Sequence, residues 1–440
     1  MSLYTPFSGN KFLNTRSTED SSVISVRRVV HSPDRHLCLE TLGTTTILVL
    51  LLAALLTPSS FAQLSSGGGS LQAAASHDYL WLHTSGSYIY DQNNQIISLH
   101  GANIQFGAGQ GFTMSDIDNL KGSGFDTIRM PVYWGLVQPY DESSNGIDQS
   151  YFTAPRSPSS APSLDAVVNQ ALQDDTYVII ILAWTPTWGP PSWAFRGISG
   201  DSQRYATLIN GTASKERTGI VNTWKYIANR YGNFPNVIFE LLNEPNVADT
   251  SLAGNSYKAF NEQIISAIES AEIHSHLKMV ELLTKTSTWE EILSGSVDIN
   301  KSNVVWATHH YAPMNNWDPN GRYYHGSFTW QGQNYPEGWG NGTIYVAWRV
   351  IQVANQIHSW SKPWMITEFS KDTTQTYWAK WLNVFLSLQA EESAAGWVFH
   401  CYAHDPQSES GWNINNPTTQ QNIMSYLRPY LSTLTVKRRT

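Results

Sequence analysis

The sequence predicts an α/β fold, a (β/α)8 TIM barrel with a short N-terminal β-hairpin flap. Eight short runs of apolar and β-branched residues recur along the chain, interleaved with segments of helical apolar spacing. Polar and titratable residues fall just past the ends of most runs, where a barrel of this kind carries its chemistry. At 440 residues with 41% hydrophobic content, the chain is long and apolar enough to bury such a core.

Before the barrel, residues 1–45 are polar and include Arg27, Arg28 and Arg35; an unbroken apolar run, Ile47–Leu56, follows. It leads into Thr-Pro-Ser-Ser-Phe-Ala-Gln, with small residues before a break near Ala62. Residues 1–62 therefore read as a polar lead and a secretory signal, the apolar run being short for a membrane span of roughly 20 residues. The alternative is an uncleaved membrane anchor at residues 46–57. Either reading places the rest of the chain outside the cell, secreted or on the extracellular surface. Residues 63–77 are small and flexible, a linker, and residues 78–435 form the folded domain. Of the two cysteines, Cys38 falls in the lead, so a processed chain keeps Cys401 alone and no intrachain disulfide.

Composition narrows the function. Charged residues make up 14% and aromatics 12%, with 18 Trp and 21 Tyr, and the formal net charge is −8. That balance excludes a disordered chain and offers no broad basic surface for nucleic acid. Abundant Trp and Tyr suit either a large core or stacking against flat, uncharged ligands such as sugars. No Cys/His spacing suggests zinc, and His404-Asp405 is too little for a metal site, so neither metal nor cofactor is expected. The chain reads as a monomer.

The elements follow in order. Trp81–Gly86, Tyr88–Tyr90 and Ile96–Leu99, separated by turn residues, form the flap. Strands are expected at Ala102–Phe106, Asp126–Met130, Tyr177–Leu182, Val237–Leu242, Lys278–Leu283, Val304–Thr308, Pro363–Thr367 and Ala395–Phe399. Helices are expected at Ser115–Lys121, Leu164–Gln173, Glu216–Arg230, Tyr257–Ala271, Trp289–Leu293, Ile344–Trp360, Tyr377–Leu388 and Gln420–Tyr430. At or past the strand ends stand Arg129, Trp184, Asn243, Glu244, His309, His310, Tyr311, Glu368 and His400.

Glu244 and Glu368 end the fourth and seventh strands, on roughly opposite sides of the barrel mouth. Facing carboxyl groups are what glycosidic bond hydrolysis requires, one protonated to release the leaving oxygen and one ionised to attack or stabilise the sugar cation. Arg129 beside a carboxylate would keep it anionic. His310 should point to the opposite face from its neighbours.

The stretches LHTSGSYIYDQNNQIISLHGANI, FDTIRMPV, VIFELLNEP, HHY and KPWMITEF, spread over residues 79–430, together resemble glycoside hydrolase family 5. This is the cellulase-like family in the Asn-Glu-Pro clan of barrel glycosidases. The resemblance implies an exported, retaining β-glycanase, most simply an endo-β-1,4-glucanase (cellulase), acting on a polysaccharide or oligosaccharide. It makes Glu244 the acid/base and Glu368 the nucleophile, with Asn243 on the sugar 2-hydroxyl. Arg129 and Tyr311 would hold Glu368, and His309 would contact the acid/base or the substrate. A β-mannanase or other β-glycanase, a transglycosylase and a carbohydrate-binding pseudoenzyme are the alternatives.

Two positions depart from the family's pattern. The third strand ends in Ala183-Trp184 where a His is usual. After the eighth strand, where a Trp floor is usual, His400 stands, with Trp397 three residues earlier. Aromatic loops flank the site: Trp184, Trp188, Trp193 and Phe195 after the third strand, and Trp317, Tyr323, Tyr324, Phe328, Trp330, Tyr335 and Trp339 after the sixth. Asn210, Asn300 and Asn341 open glycosylation sequons.

Overall fold

A computed structural model describes residues 80–104, 112–155, 162–184, 189–287, 289–311, 328–330, 333–335, 342–370, 378–392, 394–403 and 413–431. The expected leader (1–62), the linker (63–77) and Cys38 lie outside the described residues. So do Phe106, Trp188, Trp317, Tyr323, Tyr324, Trp339, Asn341, His404 and Asp405.

Eight parallel strands close into a barrel in chain order. They are β1 (Leu99–Ile104), β2 (Thr127–Tyr133), β3 (Tyr177–Ala183), β4 (Val237–Glu240), β5 (Lys278–Glu281), β6 (Val304–Tyr311), β7 (Trp364–Ser370) and β8 (Gly396–Tyr402). All eight expected strands are present. β3, YVIIILA, is buried along its whole length, as a strand covered on both faces must be. Closure depends on Gly396 at the head of β8. It sits at φ 141°, and a Cβ there would lie 1.9 Å from the Leu99 carbonyl oxygen, so β8 and β1 could not approach with any other residue.

β7 carries an irregularity that matters for the site. Thr308 pairs with Ile366 but His309 pairs with Glu368, so β7 holds one extra residue, Thr367, against β6. Such a bulge locally breaks the alternation of faces. Thr367 and Glu368, neighbours in sequence, thereby both reach groups on the inside of the barrel.

The helices pack outside: α1 (Met114–Gly122), α2 (Leu164–Gln173), α3 (Asp201–Asn210), α4 (Ser214–Tyr231), α5 (Asn255–Glu269), α6 (Gly342–Ser359), α7 (Trp378–Glu391) and α8 (Pro417–Leu431). Thr113 and Asp116 close a capping box on α1, and the Ser163 hydroxyl accepts the Ala166 N–H at the start of α2. Two expectations need correction. Trp289–Leu293 is not a helix: Glu290 and Glu291 pair antiparallel with Lys285 and Thr284. Trp289 turns the chain at φ 55°, incompatible with a right-handed helix, and the described residues between β5 and β6 contain no helix. In exchange α3 appears, opened by Gly200 at φ 88° without a side-chain cap.

The N-terminal strands His83–Ser85, Tyr88–Tyr90 and Ile96–Ile97 form a three-stranded antiparallel sheet. It docks beside the N-terminal ends of β5 and β6. Thr84 N donates to Asn303 Oδ1 at 3.0 Å, and the Trp81 ring lies 4.5 Å from His274 and 4.9 Å from His276. The sheet is therefore a floor to the barrel, at the end away from the strand-end carboxylates.

Candidate active site

A buried polar layer crosses the top of the barrel, centred on Arg129 from β2. Its guanidinium donates to Glu240 Oε2 at 2.6 Å and Oε1 at 3.2 Å, to Asn103 Oδ1 at 3.0 Å, to Asn243 Oδ1 at 2.8 Å and to Glu368 Oε2 at 2.9 Å. Glu240 also accepts the Thr367 hydroxyl at 2.8 Å. A fully buried carboxylate is tolerable here because a guanidinium fork and a hydroxyl satisfy both of its oxygens. Burial opposes the charge on Arg129, but Glu240 and Glu368 outweigh it and hold the guanidinium protonated beyond its ordinary range.

Glu368 is the most heavily held carboxylate. Besides Arg129 it accepts the Tyr311 hydroxyl, and it has His400 Nδ1 at 3.4 Å and His309 Nδ1 at 3.7 Å. Burial would raise its pKa. The positive fields of His309, His400 and Arg129, with the Tyr311 hydrogen bond, pull it well below the usual carboxylate range. Tyr311 shifts the other way: burial and the adjacent Glu368 push its phenol well above its ordinary value, so it remains a donor.

Glu244 stands in the turn after β4, in a different setting. Its side chain is 34% exposed, open to the barrel mouth, and its Oε1 accepts from His309 Nδ1 at 3.1 Å. Its backbone sits at φ 47°, a left-handed conformation that costs a non-glycine residue about 1–2 kcal/mol. Surrounding bonds fix that turn. Trp224 Nε1 on α4 donates to Leu241 O at 3.0 Å, and Tyr205 Oη on α3 donates to Asn243 O at 2.5 Å. Asn246 Nδ2 donates to Glu244 O at 3.1 Å, and Glu244 N donates to Glu281 Oε2 at 2.7 Å. Glu244, His309 and Glu368 each place an atom within 4.8 Å of the others.

His309 bridges the carboxylates. Burial alone would lower its pKa, but Glu281 and Glu368, and the bond to Glu244, raise it to about 9. Glu281, on β5, is enclosed at the same level with its Oε1 3.5 Å from His309 Nδ1. Burial, reinforced by Glu244 and Glu240, pushes it up to about 8 despite the opposing pull of His309.

Of the residues singled out in the sequence, Arg129, Asn243, Glu244, His309, Tyr311, Glu368 and His400 converge on one site. Trp184 does not line it. Its ring is buried in an aromatic cluster, 5.9 Å from Trp134, 6.1 Å from Phe195 and stacked 4.6 Å from Tyr205, which links it to the Asn243 carbonyl. Trp397 points away altogether, packed against Phe125 and Phe369. Three residues before His400 on a strand, it falls on the opposite face. His310 faces outward as expected, 3.4 Å from Glu291. Trp193 and Phe195 are buried packing residues, whereas Tyr140 and Trp289, on loops after β2 and β5, are exposed rings that sequence alone did not mark.

Glu240, Glu281, Asn103, Thr367 and Tyr205 belong to the site and were missed. The one available signal was a Glu inside each apolar run, VIFELL and KMVELL, where an ionisable group needs a partner. Two triplets, Glu240–Glu281–His309 and Glu244–His309–Glu368, lie close enough to share a cation. In the first, Arg129 and Thr367 already occupy both Glu240 oxygens.

Known proteins share this architecture. Among solved structures, the catalytic domain of the major endoglucanase from Xanthomonas campestris pv. campestris superposes with a TM-score of 0.57 at 18% identity, covering 80% of this chain and 100% of that one. The cellulose synthase subunit Z from Clostridioides difficile gives 0.51 at 19%, covering 75% and 99%. Among curated relatives, Endoglucanase B of Clostridium cellulovorans is 24% identical over 216 residues, 46% of this chain and 42% of that protein. Cellulase/esterase CelE of Acetivibrio thermocellus is 25% identical over 228 residues, 49% of this chain and 25% of that protein. The chain thus spans less than half the length of either relative. The family described as Cellulase (glycosyl hydrolase family 5) matches residues 90–417, nearly the whole barrel, and the chain belongs to that family.

Proposed function

We propose that the chain is an exported, retaining endo-β-1,4-glucanase, with Glu368 as nucleophile and Glu244 as acid/base. The observation that carries this reading is the pair itself. One oxygen of each carboxyl group lies within 4.8 Å of one on the other, a close approach that suits the narrow spacing of about 5–5.5 Å used by retaining glycosidases better than the 6.5–9.5 Å that inverting ones need for a water. The surroundings also divide the labour. Arg129, Tyr311 and the histidines keep Glu368 anionic, while Glu244 opens to solvent and to a leaving group.

In the first step a Glu368 oxygen attacks the anomeric carbon as Glu244 gives its proton to the departing glycosidic oxygen. A glycosyl ester forms on Glu368 and the glycosidic C–O bond breaks. Water then attacks the same carbon, giving its proton to Glu244, and Glu368 leaves as a carboxylate. Because Arg129 takes the Asn243 oxygen, the amide nitrogen is the group available to a sugar hydroxyl.

The β-1,4-glucan assignment draws on the endoglucanase names of the relatives. Export draws on the signal-like residues 1–62, and N-terminal sequencing of the protein recovered from medium would test it. Purified protein is incubated with carboxymethyl cellulose, mixed-linkage glucan, mannan and xylan, and new reducing ends are counted. Cleavage of the glucans is expected, abolished in Glu368→Ala. Wild-type activity in that variant would overturn the roles, and faster turnover of mannan would move the substrate to β-mannan. A second reading, a sugar-binding pseudoenzyme, is favoured by one observation: β3 ends in Ala183 and buried Trp184, with no polar group for the sugar. Glucan binding without new reducing ends would select it.

A further inference from the structure

We propose that Glu281 is a positioning residue that, through His309, sets the alkaline limit of the Glu244 proton-transfer step. This rests on Glu244 being the acid/base. Glu281 is almost wholly buried at the end of β5, closed off from the barrel mouth. Its two oxygens are divided between the two parts of Glu244 that matter. Oε2 accepts the Glu244 backbone N–H at 2.7 Å, anchoring the left-handed turn. Oε1 has no hydrogen-bond partner of its own and lies 3.5 Å from His309 Nδ1. That same nitrogen donates to Glu244 Oε1 at 3.1 Å. Glu281 and Glu244 therefore compete for one N–H.

His309 itself is faced by Glu368 from β7, whose Oε2 lies 3.7 Å from Nδ1, and by Arg129 from β2, whose Nη2 lies 3.4 Å from Nε2. Glu281 is faced by His309 from β6, Glu240 from β4 and Glu244 from the turn after it. Arg129 on β2, Tyr205 on α3 and Tyr257 on α5 also feel its charge, and Tyr257 Oη donates to its backbone carbonyl at 2.6 Å. Arg129 is committed to Glu240, Asn243 and Glu368, so His309 is the cation that answers Glu281. Protonated, Glu281 leaves the His309 N–H to Glu244. Ionised, it draws that N–H away and adds a negative charge beside Glu244, which keeps the transferable proton on the cluster to higher pH.

Glu281→Gln preserves the acceptor for the Glu244 N–H and removes the charge. The alkaline limb of kcat/KM on soluble glucan should move down by about one pH unit, with the acid limb unmoved. The His309 ring midpoint, followed by NMR and assigned with His309→Gln, should fall in the same direction. Glu281→Asp, which restores a carboxylate, should return the limb towards the wild-type position. A His309 midpoint that stays within 0.2 unit of wild type in a folded Glu281→Gln protein, or an alkaline limb that does so in an active one, would overturn the proposal. The NMR arm decides even if the wild type cleaves no glucan, so failure of the enzymatic reading and failure of this one remain distinguishable.

Discussion

Arg129 grips Glu240 through two N–H groups, at 2.6 and 3.2 Å, and spends a third on Glu368 at 2.9 Å. One guanidinium thus neutralises a structural carboxylate and orients the candidate nucleophile. Replacing it by Met leaves Glu240 buried and uncompensated, a loss of about 3–5 kcal/mol. Lys keeps the charge but not the fork, so Arg129→Lys should fold better than Arg129→Met yet still lose most activity. Urea unfolding and glucan turnover on both variants check this ordering.

Tyr311 donates its hydroxyl to Glu368, stabilising the anion. A carboxylate held low stays active until the pH falls through its own pKa. Losing the hydroxyl in Tyr311→Phe raises that pKa and moves the acid limb of the rate profile up by about 0.5–1 unit, with kcat reduced roughly tenfold. A pH–rate series on the two proteins reads both effects.

Tyr205 ties α3 to the turn that carries Glu244, through its 2.5 Å bond to the Asn243 carbonyl. Tyr205→Phe should cost about 1 kcal/mol of stability. Because the turn that carries Glu244 loosens, kcat should fall more than KM rises. Steady-state kinetics beside thermal unfolding separates the two.

Much of this was legible in the sequence. The strands announced themselves as buried β-branched runs, and reading their ends gathered Arg129, Asn243, Glu244, His309, Tyr311, Glu368 and His400. What stayed hidden depends on closure or on a single dihedral. Glu240 looks like a stray charge until β2 brings Arg129 beside it. Glu281 means nothing until β6 brings His309. The TWEEIL segment has helical spacing, yet Trp289 at φ 55° turns it into a hairpin. Trp397 lies close to His400 in sequence, yet three steps along a strand reverse the face and turn it onto Phe369.

Glu281 also makes stability depend on pH. Its folded pKa, about 8, lies above the ordinary value of 4.5, so its contribution is fully present below 4.5 and is lost as pH rises through 8. Wild type should therefore lose stability relative to Glu281→Gln between pH 5 and pH 8. Melting temperatures of the pair at those two pH values test the sign.

The assignment of Glu368 as nucleophile is tested most directly by trapping its glycosyl ester. An activated 2-deoxy-2-fluoro-β-cellobioside slows hydrolysis of the ester and lets it accumulate. Mass spectrometry of the digested protein should then find one added 2-deoxy-2-fluorocellobiosyl group, on the peptide containing Glu368. A label on another residue, or full turnover of the reagent with no labelled peptide, would contradict the roles given to Glu368 and Glu244.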